Sequence, residues 1–399
     1  MDSNDFWIWL APVILALVIL LPIFFAMGWF AARVDMRAVL KQAKAIPDGF
    51  YKSLDALVER KSAVAVRELA EVVDQQNDAR QSTYELHLTL GKLYRQRGEN
   101  DKAIALHQSL LQLPETIAER RDTVAFELGQ DYQAAGLVDR AEQILVGLLN
   151  GSKAKQARQI LLNIYQQDRD WEKAIKLAEE LSTGDQTYQF EIAQFYCELA
   201  QLALYQSEYN KAREYIFQAL AVNRKCSRAN MIMGDVELKQ QNYQAAIDAY
   251  SAIEKQNYEY LSLVGERLYD AYDGLQKAAD GIEVLIGFAQ TFPQLDLSGV
   301  IYEKSLPVFG EDRAREIVID LVRRRPTLTG TYRLLGVLQS NINPKWKVDV
   351  DMMRSVVGMQ MQKSVMYRCR HCHFKSQVYF WHCPACNKWE TFTPNRIDV

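Results

Sequence analysis

Eight small residues recur through the middle of this 399-residue chain: Ala65, Ala103, Ala141, Ala174, Ala212, Ala246, Gly281 and Ala314, spaced by 38, 38, 33, 38, 34, 35 and 33 residues. A unit of that length holds one pair of antiparallel helices and cannot bury its own apolar face. The chain must therefore stack helical hairpins into a solenoid, each pair covered by its neighbours. Nine residues before several of the small positions comes an aromatic, Tyr94, Tyr132, Tyr165 or Tyr272, and Gly91 and Gly129 stand three residues before the first two. A glycine on the first helix of a hairpin, set against the small residue on the second, lets the two backbones approach. The segments RGEND and AGLVD read as the turns of the two clearest copies, with Gly98 and Gly136 suited to the left-handed residue that ends a helix. Pro293 and Pro326 close two later repeats, which are degenerate: Gly281 fills the small slot, and the next copy opens with a loop-like FPQLDLSG and carries Pro307.

Glycine, aromatic and alanine in this register make the tetratricopeptide pattern, so the fold class is all-α, a helical-hairpin solenoid. Its Ala, Leu and Tyr positions read as core, and His87 and His107 as packing residues of one hairpin. A partner would meet the polar first-helix face instead: Lys92 and Arg95, then Gln130 and Gln133, then Asn163 and Gln166. Such a groove also permits self-association into a homodimer.

The N-terminus has a different character. Phe6 to Ala32 is a run of 27 uncharged residues, long enough at about 1.5 Å per residue to cross a hydrocarbon layer of roughly 30 Å. Pro12 and Pro22 are tolerated in a membrane helix, and Trp7, Trp9 and Trp29 lie near its ends, where indoles favour the interface. A cleaved signal peptide fits poorly, because Asp2 and Asp5 replace a basic leader. Arg33, Arg37, Lys41 and Lys44 follow the span and no Lys or Arg precedes it, which places the rest of the chain in the cytoplasm. The expected organisation is a short outer end at 1–5, a transmembrane helix at 6–32, a juxtamembrane segment at 33–47, the solenoid at 48–363 and a metal-binding tail at 364–399.

That tail carries four of the six cysteines, Cys369, Cys372, Cys383 and Cys386, as C-x2-C-x10-C-x2-C. Two such pairs supply a closed tetrahedral shell of four thiolates around one ion. The segment is shorter than the roughly 40 residues at which a core stands without a metal or disulfides, so metal binding would fold it. A reducing cytoplasm favours metal over disulfides, and Cys197 and Cys226 read as buried structural thiols. Mixed coordination through His371, His373 or His382 is open but unnecessary. Arg368, Arg370 and Lys388 are expected to support the thiolates. No Gly or Ser spacer separates the tail from the preceding helical pattern. Together with Phe374, Tyr379, Phe380, Trp381 and Trp389, this predicts that the tail packs on the last helices. A net charge of −3 points away from nucleic acid, and nucleotide-binding, metalloprotease and serine-hydrolase motifs are missing, so the expectation is not an enzyme.

The anchor, the array with LTLGKLYRQRGE and IAQFYCELA, and the tail YRCRHCHF followed by YFWHCPACNKW together resemble the lipopolysaccharide assembly protein B family of Gram-negative bacteria. The resemblance implies a single-pass inner-membrane protein with its bulk on the cytoplasmic side and a rubredoxin-type tail whose metal ligands are Cys369, Cys372, Cys383 and Cys386. It also implies an adaptor that promotes degradation of the committed-step lipid A deacetylase by a membrane-bound AAA+ protease, alongside other inner-membrane lipopolysaccharide proteins. A scaffold gathering such proteins without controlling proteolysis is the alternative. Knuckles of this type usually place glycine with positive φ after each pair, where this chain has His373 and Asn387. The spacing of ten between pairs is short for an electron carrier, which favours structural zinc over iron.

Overall fold

The structure is a computed structural model that describes residues 48–59, 61–75, 81–112, 118–182, 188–324, 326–363 and 367–394, with isolated helical positions between 22 and 29. The predicted span at 6–32 and the segment at 33–47 lie almost wholly outside these residues. Among the described residues, no helix is long and apolar enough to cross a membrane.

Among the described residues helix follows helix as the repeat requires, and the chain divides into two compact units, Met1–Ala157 and Arg158–Val399. The first contains α1 (Asp48–Val58), α2 (Ser62–Gln75), α3 (Gln81–Gln96), α4 (Asn100–Leu111), α5 (Ala118–Ala134) and α6 (Val138–Val146). Helix α7 (Ala154–Asp168) begins at the boundary. The second unit continues with α8 (Trp171–Ser182), α9 (Gln189–Tyr205), α10 (Tyr209–Val222), α11 (Ser227–Lys239) and α12 (Tyr243–Asn257). After a 3-10 turn at Tyr258–Tyr260 come α13 (Leu261–Gly274), α14 (Ala278–Thr291), α15 (Ser298–Phe309), α16 (Glu311–Arg324), α17 (Leu328–Asn341) and α18 (Lys347–Lys363). The tail adds a two-stranded antiparallel ladder, β1 (Tyr367–Arg368) with β2 (Lys375–Ser376).

All seven alanines of the sequence repeat are completely buried, and Gly281 is buried in the same slot. The glycines on the first helix of each hairpin (helix A, the second being helix B) do something other than the expected job. A Cβ on Gly91 would overlap the His107 ring, one on Gly129 would come within 2.8 Å of Leu145, and one on Gly234 would overlap Tyr250. Each partner lies four residues beyond the small position, one turn further along helix B. The glycine thus makes room for a large side chain, while the alanine keeps its own neighbourhood tight.

Turn geometry repeats just as closely. Gly98 and Gly136 take φ of 78° and 75°, as their positions predict, but Arg169, Ser207, Gln241 and Gln276 adopt φ of 59–61° at the matching positions. At the first of these turns Glu99 N–H bonds to Tyr94 O at 2.9 Å and Gly98 N–H to Arg95 O at 2.9 Å, the two bonds of a Schellman end. Satisfying those carbonyls offsets a left-handed penalty of roughly 1–2 kcal/mol at the non-glycine residues. The loop predicted around FPQLDLSG occurs between α14 and α15, and Pro307 lies inside α15.

Candidate metal centre

Each cysteine pair sits on a knuckle built by the same backbone bonds. His373 N–H donates to Cys369 O at 3.0 Å and Cys369 N–H to Phe374 O at 2.9 Å. In the second knuckle Asn387 N–H donates to Cys383 O at 2.9 Å and Cys383 N–H to Lys388 O at 2.9 Å. His373 and Asn387 carry the positive φ that glycine usually supplies, 61° and 52°. The bridge pairs Cys369 with Phe392 and His382 with Trp389 clamp the knuckles together. Cys369, Cys383 and Phe392 form a small buried core with Tyr367, Tyr379, Phe380 and Cys386 packed on it.

The four sulfurs lie within 4.8 Å of one another, with Cys369 to Cys386 at 3.8 Å and Cys372 to Cys383 at 3.7 Å. Metal–sulfur bonds of about 2.3 Å arranged tetrahedrally give sulfur–sulfur edges of about 3.8 Å, whereas a disulfide needs about 2.05 Å. The donor set therefore fits one structural ion, zinc or iron, with no open position for substrate. At Cys369 burial works upward but is outweighed by hydrogen bonds from the Cys372 amide, the Thr391 hydroxyl and the His371 amide, which bring the thiol down to about 6. Burial pushes Cys386 up to about 12 and raises Cys383. Neutralising those thiolates is work that a divalent cation does directly, so metal uptake must release protons.

Among the described residues, support for the sulfurs comes from knuckle amides and the Thr391 hydroxyl, not from the expected side-chain cations. Cys372 N lies 3.4 Å from Cys369 Sγ and the Thr391 hydroxyl 3.2 Å from it. The Arg370 guanidinium turns away to Glu259, at 3.1 Å. Amides within a tight knuckle reach the sulfurs at no cost in side-chain entropy, which leaves arginine for longer-range contacts.

The tail is docked, and not on the last helices as predicted. It lies against α7, α8, α9, α11 and the Tyr258–Tyr260 turn. Trp389 is buried, edge-on to both Trp171 and Phe195 at 5.9 Å, and its indole N–H donates to Gln166 Oε1 at 3.2 Å. Trp381 packs against Tyr260 at 5.0 Å. Arg228, buried on α11, stands over Trp381 at 5.3 Å and Trp389 at 5.8 Å while donating to Glu198 at 2.7 Å and Gln194 at 3.3 Å. Gln194, fully buried, donates to Glu390 at 2.7 Å. A buried indole needs an acceptor and an aromatic needs a flat apolar wall, and the middle repeats supply both.

The six positions expected to meet a partner divide accordingly. Lys92 pairs with Glu127 at 3.0 Å, and Arg95 bonds Glu127 and Asp131, both at 2.7 Å. Asp131 also holds the buried His107 through its Nδ1. Gln130 and Gln133 are half-buried on α5. Gln166 is taken by Trp389, and Asn163 lines a cleft beside it. Sequence reasoning missed Gln194, Arg228 and Tyr260. The only signal for them was the aromatic surplus of the tail, which demands a receiving surface without saying where.

A tetratricopeptide solenoid with a rubredoxin-type metal domain seated on it is the class this fold and site define. Residues 86–121 and 197–260 match families described as Tetratricopeptide repeat, and residues 367–394 match one described as Rubredoxin metal binding domain. The chain belongs to the lipopolysaccharide assembly protein B family. It is 30% identical over 384 residues to the protein of that name from Escherichia coli K12, covering 95% of this chain and 98% of that one. It is 28% identical over 393 residues to the Haemophilus influenzae protein of the same name, covering 95% and 97%.

Proposed function

We propose that the chain is a membrane-anchored adaptor that limits lipopolysaccharide synthesis by promoting proteolysis of the committed-step lipid A deacetylase by a membrane-bound AAA+ protease. The observation that carries the lipopolysaccharide part is the full-length likeness to proteins named for lipopolysaccharide assembly. The adaptor part is supported by the architecture: stacked helical hairpins present extended surface, and a metal held by four thiolates has no position left for chemistry. Anchorage follows from the 27 uncharged residues of Phe6 to Ala32, and the cytoplasmic side from Arg33, Arg37, Lys41 and Lys44. In this reading the ion is zinc, which folds the tail and takes no part in redox chemistry.

The test is the half-life of the deacetylase after translation is blocked, in cells depleted of this protein and in cells restored with the intact chain. A lengthened half-life that the intact chain reverses is expected; an unchanged one removes the adaptor. The relatives' name speaks of assembly, which favours a scaffold as the second reading. A scaffold would leave the half-life alone and mislocalise the inner-membrane lipopolysaccharide proteins.

A further inference from the structure

We propose that Cys197 and Cys226 are a redox pair beneath the docked tail, shielded while the metal domain is seated and joined as a disulfide by a hydroperoxide once it lifts. Cys197 lies in the middle of α9 and Cys226 at the N-terminal end of α11, both buried, with their sulfurs 3.7 Å apart. A disulfide needs about 2.05 Å, so bonding requires an approach of about 1.7 Å. Ala193, Ala200 and Ala229 share the same core, and packing alone would be served by alanine at the two cysteines as well. What sets the pair apart is the polar layer against it. Gln194 Nε2 lies 3.8 Å from Cys226 Sγ and donates to Glu390 Oε1 at 2.7 Å. Arg228, two residues beyond Cys226, donates to Gln194 and meets the rings of Trp381 and Trp389. The groups that touch the sulfur are therefore the ones the tail covers.

The two thiols are unequal. A hydrogen bond from Cys197, helped by the Ala229 amide in the first turn of α11, holds Cys226 below the ordinary thiol value against burial, whereas burial pushes Cys197 well above it. Glu390 works against ionisation of both, so lifting the tail frees the more acidic sulfur. Thiolates, and not thiols, attack peroxides. The Cys226 thiolate takes one oxygen of hydrogen peroxide as the O–O bond breaks, leaving a sulfenic acid and a hydroxide that takes up the proton Cys226 released. The Cys197 sulfur then displaces the sulfenic hydroxyl: the S–S bond forms, the S–O bond breaks, and the Cys197 proton leaves with the hydroxyl as a second water. Two thiols and one peroxide give one disulfide and two waters, with two electrons passing from sulfur to oxygen. In a reducing compartment such a bond is transient, since thiols undo it by exchange. The chain would thereby carry a reversible mark of an unseated metal domain.

The pair does not depend on the adaptor reading, and the purified full chain suffices to test it. Three samples are compared: metal-loaded chain, chain stripped by a chelator, and metal-loaded Trp389→Ala, which loses the indole that anchors the tail to Trp171 and Phe195. Each is exposed to hydrogen peroxide at neutral pH, blocked with an alkylating agent and digested without reductant. Mass spectrometry follows the peptide that links Cys197 to Cys226. It should form about ten-fold faster in the stripped chain and in Trp389→Ala than in the loaded wild type, because oxidation of a thiolate follows its exposure. A dithiol should dissolve it. Cys197→Ser should remove it and leave Cys226 as a sulfenic acid that dimedone traps. Because Trp389→Ala keeps its ion, it separates lifting of the tail from loss of metal; a preparation with less than one ion per chain counts as stripped. Equal rates in seated and lifted chains, acceleration on stripping alone, or oxidation that never joins these two cysteines would overturn the proposal.

Discussion

The two units treat the same helix-A face in opposite ways. In the first, Lys92 and Arg95 of α3 are spent on Glu127 and Asp131 of α5, so neighbouring repeats close the face with ion pairs. In the second, Gln166, Gln194 and Arg228 are spent on Trp389, Glu390 and Trp381 of a metal domain about 200 residues away in sequence for Gln194 and Glu390, whose separation is 196. One face is sealed by the solenoid itself and the other by a lid, the cysteine-rich tail. Polar residues on a tetratricopeptide groove are therefore no guide to an external partner until the chain's own claims on them are known.

The largest effect expected from breaking this contrast is at the metal. Cys369→Ser, or chelation, should cost the tail its fold, a loss on the order of 10 kcal/mol of metal-binding free energy. Metal content and the emission of the buried Trp389 check it: content should drop below one ion per chain and the emission should shift to the red.

Truncations come next. Trp389→Ala should destabilise the second unit by about 3–5 kcal/mol. Arg95→Ala should cost the first about 3 kcal/mol, because it strips a partner from the completely buried Asp131 and from Glu127. Denaturant unfolding followed by limited proteolysis should show each loss in its own unit.

Gly91→Ala is expected to cost about 1–3 kcal/mol, because a methyl group there overlaps His107 and the buried ring has nowhere to go. This position shows what the sequence could and could not tell. The repeat period, the buried alanines, the left-handed Gly98 and Gly136 and the thiolate quartet were all legible, since each depends on residue type at fixed spacing. The left-handed Arg169, Ser207, Gln241 and Gln276 were hidden, because the cyclic turn bonds, and not the residues, impose that conformation. The landing place of the tail was hidden for a similar reason: Gln194 and Arg228 look like ordinary repeat residues until Trp381, Trp389 and Glu390 arrive.

The smallest effect is a pH slope. Burial raises the Glu390 carboxyl, against hydrogen bonds from Gln194 and Tyr260 and the charge of Arg228. The folded state then holds a proton that the unfolded chain releases, so stability falls as pH climbs from the ordinary carboxylate range through the raised value. Glu390→Gln should flatten that slope in pH-dependent melting and change stability at neutral pH by less than about 1 kcal/mol.

The most direct test of the lid is backbone hydrogen exchange on the full chain before and after metal is removed. The account predicts faster exchange in residues 367–394 and, with them, in α9 and α11, while α3 and α5 of the first unit keep their protection. Acceleration confined to the tail, with α9 and α11 unchanged, would contradict it.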